Sequence, residues 1–161
     1  MALEMTGAYA LPLPRTAVWK ALNNPGVPRQ CIPGCESLEK VSDNEFAVVS
    51  RLTVGPIKAR FKGRVHLKDL DPPNGYTIVG EGEGGIAGFA EGNAVVRLVD
   101  AAGGMQFTYT AQAQVGGKLA QLGQRLIAGT AKKTADLFFS NFTAALSPPA
   151  EPSAAADAVQ S

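Results

Sequence analysis

The spacing of hydrophobic residues along the chain changes near residue 117 from a period of two to a period of about 3.6. Before this point, apolar and polar residues alternate in segments that Gly, Pro, Asn and Asp separate, a pattern typical of β-strands. The connections are too short for crossover helices, so the strands are predicted to run antiparallel. The predicted strands are Leu3–Leu11, Ser37–Val41, Glu45–Val54, Ile57–Lys68, Tyr76–Gly84, Phe89–Val99 and Met105–Val115.

Helices are predicted near the beginning and at the end of the chain. Pro14 suits the first turn of a helix over RTAVWKALNN, and a second short helix is predicted from Val27 to Cys31. From Gly117 to Leu146 the helical period continues for 30 residues without proline, which predicts a helix about 45 Å long. The order of elements predicts one α+β domain over residues 1–146, in which this helix covers the apolar face of an antiparallel sheet of about seven strands. Residues 147–161 are rich in Pro, Ala and Ser and are predicted to form a disordered tail.

Small residues are frequent on the two surfaces that should face each other. Gly80, Gly82 and Gly92 are predicted to point inward from the strands, and Ala131 and Thr134 lie on the predicted inner side of the helix. Because protein interiors are densely packed, either the helix lies very close to the sheet or a cavity separates them. We favour a cavity, because a long helix cannot follow a twisted sheet along its whole length.

The predicted cavity is mainly apolar, with few polar groups that could orient a ligand. The candidate groups are the hydroxyls of Tyr109, Thr130 and Thr134, although a helical threonine can instead bond to the carbonyl four residues earlier. The residues predicted to bind the ligand are Phe61, Val65, Tyr76, Ile78, Phe107, Tyr109, Leu126, Ile127, Thr130, Thr134 and Phe138.

The sequence offers little for acid–base or metal chemistry. His66 is the only histidine and alternates with apolar residues of its strand, so it is predicted to face solvent and not to serve as the base of a Ser–His or Cys–His pair. Cys31 and Cys35 have neither redox nor zinc-site spacing and are predicted to be free thiols. An enzyme on this chain would have to use Tyr76 or Tyr109 as its acid or base.

One predicted strand is basic along its outer face. These residues, called the basic row below, are Lys58, Arg60, Lys62, Arg64 and Lys68. The row could contact an acidic protein surface or anionic lipid. The alternative is a solvated face on which Glu81 and Glu83 of the next strand neutralise the charge.

The chain as a whole has 15 basic and 14 acidic residues, a net charge of +1, which argues against a nucleic-acid-binding domain.

The N-terminal residues indicate the compartment. They include Glu4 and lack both the basic cluster and the apolar core of a secretory signal. No apolar run approaches the roughly 18 residues that a membrane-spanning helix needs. The sequence therefore predicts a cytoplasmic protein.

Three segments of the chain resemble a known family. The segments CIPGCESLEK, VGPIKARFKGRV and AQVGGKLAQLGQRLIAGTAKKTADLFFSNF are similar to those of the carbon monoxide dehydrogenase G-subunit family, and the last is the most specific. This family lies within the helix-grip (SRPBCC) superfamily of START-like and pollen-allergen-like domains. The resemblance covers about residues 3 to 146 and implies a curved antiparallel sheet wrapped around a long C-terminal helix, with a hydrophobic cavity between them.

The resemblance also implies a function. It indicates a non-enzymatic accessory protein of an aerobic molybdenum-containing carbon monoxide dehydrogenase or related hydroxylase. Such a protein would bind a lipid quinone, menaquinone or ubiquinone, without a covalent cofactor, and link electron transfer from the enzyme to the membrane respiratory chain. Some members have a C-terminal hydrophobic anchor, whereas residues 147–161 are polar here, so any contact with the cytoplasmic face of the inner membrane is expected to be peripheral. The alternatives are a ligand-free adaptor or assembly factor for the same enzyme and a helix-grip hydrolase or cyclase.

Overall fold

A computed structural model describes residues 1–24 and 26–146, and the predicted tail at 147–161 lies outside the described residues. Seven antiparallel strands form one sheet in the order β1-β7-β6-β5-β4-β3-β2, so the predicted α+β class and strand number are confirmed. The strands are β1 Ala2–Leu11, β2 Cys35–Ser42, β3 Glu45–Val54, β4 Ile57–Asp71, β5 Gly75–Glu83, β6 Phe89–Ala101 and β7 Gly104–Gly116.

Three α-helices lie between or after the strands. Two short helices, α1 Arg15–Leu22 and α2 Gly26–Cys31, connect β1 to β2, and α3 Gln124–Leu146 follows β7. Helix α3 packs against α2 at one end, where the Asn141 side-chain amide donates a hydrogen bond to the Cys31 carbonyl at 3.1 Å. It lies across one face of the sheet, which we call the inner face.

The prediction of a single helix from Gly117 to Leu146 was wrong at its beginning. Residues Gly117–Leu122 form a 3₁₀ segment, and α3 begins only at Gln124 and has 23 residues, a length of about 35 Å. Gly117 and Gly123 have φ angles of 75° and 88°, a left-handed conformation that suits glycine and interrupts a right-handed helix. The spacing of hydrophobic residues does not reveal this break, because a 3₁₀ segment repeats every three residues and so resembles an α-helix in the sequence.

The buried residues form two clusters. The main core lies at the α1 and α2 end of the sheet and includes Val18, Leu98, Met105 and Phe142. A smaller cluster at the opposite end, called the end cluster below, consists of Val54, Val115 and Leu119, with partly buried apolar residues packed against it. The candidate site borders the main core, to which Tyr76, Phe107 and Phe139 of its wall belong.

Candidate functional site

A cavity of about 480 Å³ lies between the inner face of the sheet, α2 and α3. This volume is within the roughly 300–1,000 Å³ that small-molecule sites occupy. Its lining residues are Met5, Leu22, Pro28, Ile32, Leu38, Phe46, Val48, Val65, Leu67, Tyr76, Ile78, Ala94, Val96, Phe107, Tyr109, Ala111, Ala131, Ala135, Phe138 and Phe139. The lining contains no charged side chain among the described residues, so the cavity suits an uncharged and mainly apolar molecule.

Alanines keep the cavity open. Ala94 and Ala111 are paired neighbours on β6 and β7, and Ala131 and Ala135 line the opposite wall from one side of α3. Larger side chains at these positions would fill the space between the helix and the sheet.

Two glycines of the inner face, Gly63 and Gly92, do not create this volume but lie where neighbouring strands meet closely. A Cβ at Gly92 would lie 2.1 Å from the Gln112 carbonyl oxygen, and one at Gly63 would lie 2.6 Å from the Glu81 carbonyl oxygen. At these positions neighbouring strands approach too closely for any side chain. Gly63 and Gly92 therefore allow the sheet to curve, whereas alanines and larger apolar residues form the cavity wall.

The structure brings six of the predicted ligand-binding residues to the cavity wall. They come from three strands and from α3, and they are Val65, Tyr76, Ile78, Phe107, Tyr109 and Phe138. Strand alternation placed the first five correctly on the inner face. Their contact with a ligand remains a prediction.

The other five predicted residues lie elsewhere. Phe61 and Ile127 pack against the end cluster, and Leu126 is 39% exposed, with its Cδ2 beside Gly55. The Thr130 hydroxyl donates a hydrogen bond to the Leu126 carbonyl at 3.1 Å, which is the alternative arrangement considered for a helical threonine. Thr134 is not among the lining residues.

The structure turns α3 about its axis relative to the prediction, so that a different side of the helix faces the cavity. The buried side chains of the helix are Phe139 and Phe142, and they direct Ala131, Ala135 and Phe138 toward the cavity. Because the predicted inner side was centred on the polar middle of the helix, it omitted Ala135 and Phe139.

The prediction also missed cavity-lining residues of β2 and β3. Leu38, Phe46 and Val48 alternate with polar or outward neighbours and could have been found from that pattern.

The two tyrosines of the lining belong to one row across the sheet. Pairing of Tyr76 with Val96, of Val96 with Tyr109, and of Tyr109 with Gly7 places these residues side by side on β5, β6, β7 and β1. The Tyr109 ring leans over Gly7, where a Cβ would be 2.5 Å from its Cε2 atom. Tyr109 therefore tilts toward β1, and Tyr76 lies at the other end of the row.

Polar groups join β1 to α3 beside Tyr109. The Tyr9 hydroxyl donates a hydrogen bond to Asp136 Oδ1 at 2.7 Å, and Lys132 Nζ donates to Asp136 Oδ2 at 3.0 Å. Hydrogen bonds from Tyr9 and Lys132 lower the pKa of the Asp136 carboxyl. Burial raises the pKa of Tyr9, and the hydrogen bond to Asp136 raises it further.

Tyr76 differs from Tyr9 because its hydroxyl has no hydrogen-bond partner among the described residues. The side chain is 6% exposed, and its ring meets the Trp19 ring edge-on with centroids 5.4 Å apart. Burial raises the pKa of Tyr76, so the group stays protonated at neutral pH and is unsuited to act as a general base.

The outer face of the sheet carries the basic row, and all five of its residues are exposed. Arg60 donates to Glu36 at 2.8 Å and Arg64 donates to Glu45 at 2.9 Å. The register places Lys62 opposite Glu83 and Arg64 opposite Glu81, as expected. The ion pairs of the row nevertheless go to Glu36 and Glu45 on β2 and β3. A groove of about 610 Å³ on this face is lined largely by polar and charged residues and has the character of a solvated surface.

The remaining candidate groups stay isolated in the structure. His66 is exposed on the outer face, and Cys31 and Cys35 are free. Burial raises the pKa of both thiols, which lowers their reactivity. Across residues 1–24 and 26–146, no three His, Cys, Asp or Glu side chains are grouped as metal ligands, and no helix has the length and apolar character needed to span a membrane.

Solved structures share the fold. A conserved protein from Geobacillus kaustophilus is 32% identical, with a TM-score of 0.83 over 88% of this chain and 93% of that one. The Zhui aromatase/cyclase from Streptomyces sp. R1128 is 12% identical, with a TM-score of 0.64 over 89% and 93% of the two chains. Protein Ms6760 from Mycobacterium smegmatis is 15% identical, with a TM-score of 0.64 over 92% and 93%. At the two lower identities the likeness concerns the fold alone, and it confirms the helix-grip architecture.

The family assignment rests on a match of the sequence to a family model. The sequence matches no curated protein. A family model described as the carbon monoxide dehydrogenase G subunit (CoxG) matches residues 7–147. This range includes the second half of β1, the other six strands and all three α-helices. The resemblance in the sequence is thus confirmed, and the chain belongs to the carbon monoxide dehydrogenase CoxG family.

Proposed function

We propose that this protein is a non-enzymatic accessory protein of carbon monoxide dehydrogenase or a related molybdenum hydroxylase, and that it binds a quinone or another apolar lipid. The single observation that carries the ligand part of the proposal is the cavity of about 480 Å³, whose wall has no charged side chain among the described residues. Menaquinone and ubiquinone have an uncharged ring and an apolar chain, and both match such a lining.

The partner part of the proposal rests on the family. The CoxG family is named after carbon monoxide dehydrogenase, whose oxidation of its substrate releases electrons that an acceptor must remove. A bound quinone in this chain would accept them and link the enzyme to the respiratory chain of the membrane. Contact with the membrane would be peripheral, through a surface of the folded domain.

Native mass spectrometry of the purified protein tests the ligand part. We expect a quinone or lipid to copurify at near-stoichiometric amount. In an Ala111→Leu variant the added side chain projects into the cavity, and we expect the copurified ligand to be lost. Thr110→Leu is the matched control, because the neighbouring residue projects from the outer face. Empty wild-type protein, also after incubation with membrane lipid, would contradict the ligand part.

A ligand-free adaptor is the second candidate, and the exposed basic row favours it. Arg60 and Arg64 already pair with glutamates of this chain, whereas Lys58, Lys62 and Lys68 form no ion pair with the described residues. These lysines are free to meet an acidic partner surface.

Charge reversal at the unpaired lysines tests the adaptor. Lys58→Glu together with Lys68→Glu should weaken capture of the purified dehydrogenase about tenfold or more at low salt. Lys118→Glu together with Lys133→Glu, two exposed lysines outside the basic row, changes the net charge by the same amount and serves as the control. Equal capture by both variants would show that the basic row is not the docking surface.

A further inference from the structure

Two tyrosines supply the only side-chain hydroxyls among the described residues that line the cavity. Tyr109 leans toward β1 over Gly7 and stacks parallel to Tyr9, with ring centroids 6.5 Å apart. Tyr109 thus lies beside Tyr9, whose hydroxyl already donates a hydrogen bond to Asp136. Tyr76 has no such neighbour.

The ring contact of Tyr76 and its neighbour on β6 are both apolar. Its ring packs at 84° against Trp19 of α1, and Val96 is its neighbour on β6. The side chain is 6% exposed, yet its hydroxyl has no hydrogen bond. Phenylalanine would satisfy the packing equally well, so the hydroxyl is an unused donor in a cavity wall.

We propose that the Tyr76 hydroxyl is the ligand-orienting group of the cavity and donates a hydrogen bond to a carbonyl oxygen of the bound molecule. The inference rests on the proposed function, because it assumes that the cavity binds a ligand. It adds the position of the ligand's polar end, which lies next to α1.

The chemistry of the lining defines the ligand class. With no charged side chain in the described wall, the group that accepts from Tyr76 must be uncharged, which excludes carboxylates and phosphates. Burial raises the pKa of Tyr76, so the hydroxyl retains the proton that it donates. An aromatic or quinonoid ring with a carbonyl oxygen meets both conditions.

The next row of the sheet indicates where the rest of the ligand lies. Leu67, Ile78, Ala94, Ala111 and Met5 are paired in sequence across five strands, and all five line the cavity. This row is apolar throughout, and its two alanines leave room opposite α3. A ligand whose carbonyl is held by Tyr76 would extend its apolar part over this row.

A pair of probes that differ only in their carbonyl groups tests the inference. Menadione (2-methyl-1,4-naphthoquinone) and 2-methylnaphthalene have the same fused rings, and their affinities are measured for the full chain and for Tyr76→Phe. We expect Tyr76→Phe to bind menadione about tenfold more weakly, since one buried hydrogen bond is lost, and to bind 2-methylnaphthalene within twofold of wild type. Tyr9→Phe, which removes a hydroxyl outside the cavity, should bind menadione within twofold of wild type.

The other outcomes separate this inference from the proposed function. Equal affinity of wild type and Tyr76→Phe for menadione overturns the inference alone, as does an equal loss for both probes or a selective loss in Tyr109→Phe instead. Wild type that binds neither probe overturns the proposed function and the inference with it.

A spectroscopic measurement does not depend on the variant's folding. In the infrared spectrum of menadione bound to wild type, one carbonyl band should lie at lower wavenumber than in hexane, because a hydrogen bond weakens the C=O bond. Carbonyl bands at their hexane positions would overturn the inference even if Tyr76→Phe were unfolded.

Discussion

The two halves of α3 pack against the same sheet in opposite ways. Its C-terminal half contributes Phe142, which is fully buried in the main core, and Phe139, which is 7% exposed and belongs to that core while it also lines the cavity. Its N-terminal half contributes Ala131 and Ala135, which face the sheet and yet remain half-buried because they border the cavity. One helix thus carries a fully buried core residue, Phe142, near its C-terminus and forms the cavity wall along its middle. Stability should therefore respond most to substitution of Phe142, and ligand binding to substitution of the two alanines.

The largest expected effect on stability is at Phe142. Truncation in Phe142→Ala removes a fully buried ring and should lower the free energy of unfolding by about 3–5 kcal/mol. Leu137→Ala is the control on the same helix, because Leu137 is an exposed apolar residue and should cost less than about 1 kcal/mol. Urea denaturation measures both. A similar loss for the two variants would mean that the C-terminal half is not the core half.

The complementary change fills the cavity from the other half. Ala135→Leu should lower the affinity for an apolar fluorophore such as N-phenyl-1-naphthylamine more than tenfold, because the added carbon atoms occupy the ligand's space. The free energy of unfolding should stay within about 1.5 kcal/mol of wild type, because the side chain enters space that is already open.

Ala144→Leu is the matched control for this change, since Ala144 is exposed on the same helix. It should leave fluorophore binding unchanged in the titration. If Ala135→Leu instead unfolded the protein and Phe142→Ala abolished binding at full stability, the division of α3 into a core half and a cavity half would be wrong.

A smaller, pH-dependent effect is expected at Asp136, where the two halves meet. Hydrogen bonds from Tyr9 and Lys132 lower the pKa of Asp136 below the 3.8 of a free side chain. A carboxyl whose pKa is lower in the folded state stabilises the fold above its unfolded pKa and loses that contribution as the pH falls through the folded pKa.

Asp136→Asn should therefore be less stable than wild type at pH 7, and the difference should shrink as the pH is lowered below about 4. Thermal unfolding across this range measures it, with Asp43→Asn in the β2–β3 turn as the control. A difference that is constant with pH would show that ionisation of Asp136 does not contribute.

The smallest effect is expected at Thr130. Its hydroxyl donates to the Leu126 carbonyl and is not part of the cavity wall, so Thr130→Val should bind the fluorophore and menadione within twofold of wild type. A clear loss of menadione affinity, with fluorophore binding retained, would place a polar ligand contact on α3 after all.

Sequence periodicity predicted the sheet better than the helix, for a physical reason. In a strand, side chains alternate strictly between faces, so Val65, Tyr76 and Tyr109 could be assigned to the inner face without knowledge of what covers it. In a helix, each residue is turned by about 100° from the last, and a short 3₁₀ segment before it shifts every later assignment. The break at Gly123 and the burial of Phe139 set the rotation of α3, and neither is evident from the average period.

The cavity itself could be predicted only in part. Small residues on facing surfaces indicated unfilled volume, but the sequence could not distinguish alanines at a cavity wall from glycines where strands touch, such as Gly92. That distinction depends on the curvature of the sheet. The unpaired hydroxyl of Tyr76 could not be predicted from the sequence either, because the lack of a hydrogen-bond partner can be recognised only when the positions of all neighbouring residues are known.

The joining of β1 to α3 has a consequence for the order of events during synthesis. The Met1 ammonium group donates to the Val115 carbonyl at 2.9 Å, Gln124 donates to the Ala2 carbonyl at 2.6 Å, and Tyr9 reaches Asp136. These bonds of β1 can therefore form only after β7 and α3, the last of the described elements to be synthesised, have been made. Until α3 emerges from the ribosome, the inner face is an uncovered apolar trough. The proposed ligand would therefore bind only after translation, and the apolar face of the nascent chain is exposed to aggregation up to that moment.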